Sequence, residues 1–164
     1  MINNGEIKVA DKDGVFIIKM TGDVRLTLSL SLDDFLEEMF TSEGFSSVIF
    51  DLSEAEAIDS TTLGLMAKVS LKGRALHHMD PIVITRNPMI IRLLDSMGFS
   101  EILQIVESAQ IGHDDFQVLH SPDLAFDEEV VRQKVLEAHK SLVELNDDNK
   151  EVFKELIQSL ESPK

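Results

Sequence analysis

An aspartate and three consecutive hydroxyl side chains, Asp59-Ser60-Thr61-Thr62, stand directly ahead of an apolar helical pattern. These residue types permit three kinds of chemistry. Asp, Ser and Thr oxygens can cap a helix by accepting from its free N–H groups. A hydroxyl at the same place can take a phosphoryl group, because those N–H groups and the positive end of the helix dipole stabilise an anion. Asp59 could also activate Ser60 as a nucleophile, which requires a histidine and an oxyanion hole close by in space. The chain has no Gly-x-Ser-x-Gly elbow to support that third use. Asp59 is therefore read as a cap and a partner-contact residue, and no catalytic residue is expected.

Other chemistry-bearing residues are sparse. The chain has no cysteine, which removes disulfides, thiolate catalysis and thiolate metal sites. His77 and His78 are adjacent, so on a helix they point about 100° apart and cannot clasp one ion. His113, His120 and His139 lack ligand spacing. Asp114-Asp115 and Asp147-Asp148 do not sit in a calcium-loop pattern with a distal glutamate. No metal and no cofactor is expected. Met39, Met66, Met79, Met89 and Met97 fall mostly in apolar stripes, as core filler would.

Charge narrows the partners. Thirty acidic residues against 15 basic give a net charge of −15. Phosphate backbones and anionic lipid surfaces repel such a chain, and Lys68, Lys72 and Arg74 do not amount to a basic stripe. With nine Phe and no Trp or Tyr, stacking platforms for bases are scarce as well. The expectation is no nucleic acid, no membrane, and a basic protein surface as partner. The opening Met-Ile-Asn-Asn-Gly-Glu is not a signal peptide, and no window approaches the ~20 apolar residues of a membrane span. A cytoplasmic protein is expected.

The elements that must position Asp59 and its neighbours follow from periodicity. Glu6–Val9 and Val15–Met20 alternate as strands about the turn Asp11-Lys12-Asp13-Gly14 and should form a hairpin. A helix follows Ser31, with the stripe Leu32, Phe35, Leu36, Met39, Phe40, an apparent capping box at Ser31 and Asp34, and Gly44 as its stop. Ser47–Leu52 is a buried strand, and Ser53–Ala57 a short loop before the hydroxyl cluster. A second helix should span about 60–77, a strand Pro81–Thr85, and a third helix begins at Asn87 (cap) and Pro88 (first turn), ending at Gly98. Ile102–Val106 closes the order β-β-α-β-α-β-α-β, an α/β fold with a mixed sheet covered by helices.

After Ser108 the pattern loosens, passes Ser121-Pro122-Asp123 and turns helical. Val131, Val135, Ala138, Leu142 and Leu145 form one stripe; Val152, Phe153, Leu156, Ile157 and Leu160 form another beyond Asn146-Asp147-Asp148-Asn149. Residues 1–106 are read as the main domain and 107–164 as a C-terminal helical extension, a hairpin whose stripes need a third surface.

Asp59-Ser60-Thr61-Thr62-Leu63-Gly64 resembles the Asp-Ser-Ser-Gly-Leu-Gly signature of STAS domains, typified by bacterial anti-sigma-factor antagonists. Gly22-Asp23-Val24, Ile49-Phe50-Asp51-Leu52 and Leu93-Leu94-Asp95-Ser96-Met97-Gly98-Phe99 resemble the family's flanking segments in the same order, over roughly residues 5 to 106. The resemblance implies a STAS-like fold and a phosphoacceptor at Ser60, with Thr61 and Thr62 as weaker candidates. It implies partner contacts at Asp23, Asp59, Ser60, Thr61, Thr62, Leu63 and Gly64. It further implies an anti-sigma factor with serine kinase activity, sequestered by the unmodified form, and a PP2C-type phosphatase that resets the switch. Thr62 stands where the family has a small Gly. A second expectation is an accessory STAS subunit of a transporter ATPase or larger signalling complex that works without phosphorylation.

Overall fold

The computed structural model describes residues 5–110, 115–120 and 127–162. Strands β1 (Glu6–Lys12) and β2 (Val15–Val24) pair antiparallel through the two-residue turn Asp13-Gly14. Both turn residues have positive φ, 54° and 91°, the backbone that a two-residue hairpin requires and that Gly14 adopts without strain. Asp11 Oδ1 accepts from the Gly14 N–H at 3.0 Å and closes the turn.

Helix α1 spans Leu26–Thr41 and so begins six residues earlier than its stripe suggested. Its N-cap, Arg25, makes no side-chain capping bond. Ser31 lies inside the helix and donates to the His120 carbonyl at 2.7 Å, while Asp34 pairs with Lys134, so the expected capping box does not form. The run from Leu26 to Leu32 alternates apolar and polar residues, which masks a helical period until packing decides the outcome.

Strand β3 runs Ser47–Ile58 and pairs parallel with β2 as far as Val24↔Ile58. The segment Ser53–Ala57, expected as a loop, is therefore strand. Register shifts between Lys19 and Thr21 and between Gly22 and Asp23 keep the two strands paired, with Gly22 at φ +69°. Helix α2 (Ser60–His77), strand β4 (Ile82–Ile84), helix α3 (Pro88–Ser96) and strand β5 (Gln104–Val106) follow as the pattern predicts, with shorter strands. Asn87 caps α3 through Met89 N at 2.9 Å, with Pro88 in the first turn.

Strand β6 (Gln117–Leu119) was not expected; it adds antiparallel to β1. The six-stranded sheet has the order β5-β4-β3-β2-β1-β6, parallel from β2 to β5 and antiparallel around β1. Helices α4 (Glu128–Val143) and α5 (Asp147–Glu161) complete the chain as the helical hairpin. Ser121-Pro122-Asp123, His113 and Asp114 lie outside the described residues.

The sheet's inward positions, Ile7, Val9, Phe16, Ile18, Met20, Val48, Phe50, Leu52 and Val83, join one apolar core with residues from all five helices. Strand alternation and helical stripes meet there, as layer packing requires. The hairpin contributes Ala138, Leu142 and Phe153 to that core, so its stripes find their third surface on the main domain. Among the described residues no helix is long and apolar enough to cross a membrane.

Candidate functional site at the start of α2

The end of β2 and the beginning of α2 are tied together. Asp59 N donates to Val24 O at 3.2 Å, which places the cap residue at the sheet's rim in an extended conformation, φ −81° and ψ 169°. Asp59 Oδ1 then accepts from Thr62 N at 2.9 Å and from Thr62 Oγ1 at 2.8 Å. Thr62 Oγ1 also shares a short hydrogen bond with Ser29 Oγ of α1. The Asp59 oxygen is thus used within the cap, holding the first turn of α2 against α1.

The three hydroxyls have different fates. Thr62 is 0% exposed and its oxygen is spent on Asp59 and Ser29; it is not an accessible second phosphoacceptor. Thr61 is also buried, as are Leu63 and Gly64. These four, expected as partner contacts, are covered by the protein's own helices. Ser60 and Asp59 stay half-buried at the rim, and Asp23 sits half-buried on β2. Asp23 Oδ2 accepts from Arg25 Nη2 at 2.7 Å and Nε at 2.8 Å. The bond to Asp23 first, and Asp59's charge more weakly, hold the exposed Arg25 guanidinium in its charged form. Asp23, Arg25, Asp59 and Ser60 therefore make one mixed-charge rim.

What covers α2 is α4. Ser60 Oγ lies 2.8 Å from His139 Nε2. His139 Nδ1 is 2.7 Å from the Val135 carbonyl, which can only accept, so in the neutral imidazole Nδ1 carries the hydrogen and Nε2 accepts from Ser60. The ring is 1% exposed and meets Phe153 of α5 edge-on, centroids 5.1 Å apart. One turn along α2, a Cβ placed on Gly64 would lie 2.7 Å from Ala138 Cβ; the helices cross there at a distance only glycine permits. One turn further on, Asp33 of α1, 3% exposed, receives Lys68 of α2 at 3.1 Å and Lys134 of α4 at 2.7 Å. Burial pushes the Asp33 carboxyl up, but the hydrogen bond from Lys134 and the charge of Lys68 outweigh it and hold it below the ordinary carboxylate value.

Sequence reasoning placed Ala138 on an apolar stripe but set His139 aside as lacking ligand spacing, and it missed Ser29, Arg25, Asp33 and Lys134. No spacing joins residue 139 to residue 60; only the folded hairpin does. Ser60 and His139 form the hydrogen bond a serine nucleophile uses, yet Asp59 is not behind the imidazole and the ring is sealed from solvent. His77 stacks on Phe40 and meets Phe45 edge-on, and His78 ends α2 at φ +51°. Asp147 and Asp148 open α5, with Asp147 paired to Lys150. Among the described residues no group of three or more His, Asp or Glu is placed to hold a metal ion. A cleft of about 850 Å³ is lined by Lys19, Asp51, Ser53, Glu54, Arg86 and Glu107, and does not include Ser60.

Comparison with known proteins bears on the fold that carries this site. The family model for the STAS domain matches residues 6–110. Among solved structures, an anti-sigma factor antagonist from Mycobacterium paratuberculosis is similar at 20% identity and a TM-score of 0.54. The match covers 64% of this chain and 87% of that one. At that identity the likeness is one of fold.

Proposed function

The chain belongs to the STAS-domain family, and on that premise we propose that it is an anti-sigma-factor antagonist in a partner-switching pathway. The unmodified form holds an anti-sigma factor with serine kinase activity and so frees the sigma factor. Phosphorylation of Ser60 reverses this, and a PP2C-type phosphatase removes the phosphate. The protein acts in the cytoplasm as a binding module and not as an enzyme.

One observation carries the reading. Of the three hydroxyls at the head of α2, Ser60 alone is not buried, and it stands beside Asp59, Asp23 and Arg25 at the rim. A phosphate there adds about −1.5 to −2 charges next to Asp59 on a chain that already carries −15. A partner surface that reads Asp23 and Asp59 and closes over the bare Ser60 hydroxyl no longer fits once a phosphate fills that space, while helix N–H groups support the phosphate itself.

The test is a pull-down from the native host with wild type, Ser60→Ala and Ser60→Asp in parallel, joined to phosphosite mapping. Ser60→Ala is expected to retain a serine kinase regardless of signal, and Ser60→Asp to lose it. Equal capture of the same kinase by Ser60→Asp ends the switch reading. Capture of transporter ATPase components by all three proteins would instead identify an accessory subunit.

A further inference from the structure

Taking Ser60 as the modified residue, as proposed above, we propose that its phosphorylation releases the α4–α5 hairpin, so that modification changes which surface the protein presents as well as its charge. Transfer of the γ-phosphoryl group of a nucleoside triphosphate forms an Oγ–P bond, breaks the bond to the nucleoside diphosphate, and sends the hydroxyl proton to solvent. The product oxygen has no hydrogen to donate. His139 Nε2, whose lone pair now accepts from Ser60, loses that bond.

The surroundings offer no replacement. The His139 ring is 1% exposed and backed by Phe153, so three phosphoryl oxygens have no room beside it. Asp59 is a like charge, and the Thr62 hydroxyl is already shared with Asp59 and Ser29. Turning the phosphate outward relieves the crowding but leaves a buried ring nitrogen without a partner. Each alternative penalises the closed hairpin enough to move an open-to-closed ratio by ~tenfold or more.

The hairpin is the unit that can yield. Its outer helix, α5, leaves Val152 65% and Leu156 39% exposed; the hairpin is held by Ala138, Leu142 and Phe153 in the shared core, by the Gly64–Ala138 crossing, and by three polar ties, Ser60–His139 on α2, Asp33–Lys134 on α1 and Asn149 to the Met97 carbonyl after α3. Release uncovers the first two turns of α2, including Gly64, and withdraws the α4 surface that adjoins the Asp23–Asp59 rim. An anti-sigma factor that recognises the closed surface would meet, on phosphorylation, both a more open hairpin and the phosphate itself; Ser60→Ala removes the same donor to His139 but adds no phosphate, and so loosens the hairpin less.

The absence of cysteine allows a direct measurement on the full chain. Glu43→Cys and Glu155→Cys, both exposed, carry a pair of distance probes, and phosphoserine is incorporated at position 60 during synthesis. Ala138→Leu, which forces bulk against Gly64, supplies the open reference. Phosphoserine is expected to raise the long-distance population at least ~tenfold toward that reference, and phosphatase treatment to restore the short one. An unchanged or narrowed distribution overturns the proposal. Should the phosphoserine chain not fold, Ser60→Glu with the same probes is expected to shift the distribution in the same direction, and an unshifted one overturns the proposal equally. The assay contains no partner. A hairpin that opens while kinase capture is unaffected would sink the partner-switching reading and leave this one standing.

Discussion

Ser60 Oγ and His139 Nε2 stand 2.8 Å apart although 79 positions separate them in the chain, and this bond joins the head of α2 to the C-terminal hairpin. Removing either side leaves the other polar group half-buried or buried without its partner. Ser60→Ala is expected to cost about 1–2 kcal/mol and His139→Ala about 2–4 kcal/mol, the second including lost packing on Phe153. A double-mutant cycle in urea should return a coupling of about 0.5–1.5 kcal/mol. Strictly additive losses would show that the pair contributes nothing as a pair.

Gly64→Ala sets two effects against each other. Intrinsic propensity favours alanine in a helix by about 1 kcal/mol. The new methyl group, however, meets Ala138 at a separation no real Cβ occupies. We expect net destabilisation of about 1–3 kcal/mol in the full chain. In the Ala138→Leu background, with the hairpin already displaced, the same substitution should turn neutral or stabilising. Urea midpoints of the four proteins decide this.

Acid should loosen the hairpin through Asp33. Its carboxyl in the folded protein is held below the ordinary 3.8 by Lys134 and Lys68 against the opposing effect of burial. A depressed carboxyl contributes stability that is present above the unfolded value and is lost as pH falls through the folded one. Closure measured by the distance probes should therefore hold from neutral pH down to about 4 and decline below it. Asp33→Asn should remove that decline and weaken closure at pH 7; closure that is insensitive to this substitution would show that Asp33 does not hold the hairpin.

Asp59 separates capping from recognition. Asn is as good a cap as Asp, so Asp59→Asn should change stability by less than about 0.5 kcal/mol, whereas Asp59→Ala should cost about 1 kcal/mol. If the rim's charge is what a basic partner reads, Asp59→Asn and Asp23→Asn should each weaken capture of that partner while melting temperatures stay put. Capture at wild-type level by both would move the contact surface elsewhere.

Much of the fold was legible from pattern. The β1–β2 hairpin, the parallel strands, α2, the capped start of α3 and the two tail helices all followed from alternation, stripes and caps. What misled was context. Leu26–Leu32 alternates like a strand yet packs as helix, and Ser53–Ala57 reads as polar loop yet pairs with β2 because bulges near Gly22 absorb the mismatch. At the site, the hydroxyl cluster and its cap were visible because they are contiguous. The cover over it was not, since His139 and Lys134 reach Ser60 and Asp33 only after the chain has crossed the sheet edge. Exposure was misjudged for the same reason: Thr61 to Gly64 look like a presented loop end until α4 is laid over them.

Strand β6 has a bearing on how such a cover would behave once lifted. It is hydrogen-bonded to β1 through Ile7↔Leu119, Lys8↔Val118 and Val9↔Gln117, and the carbonyl just after it accepts from Ser31. Only residues 121–127 lie between that anchor and the first turn of α4. A detached hairpin thus stays on a short leash, at an effective concentration on the order of millimolar around its own docking face. Anything that binds the bare face in its place competes with a ligand that cannot be diluted away, and recapture after dephosphorylation is a first-order event, independent of how much protein the cell contains.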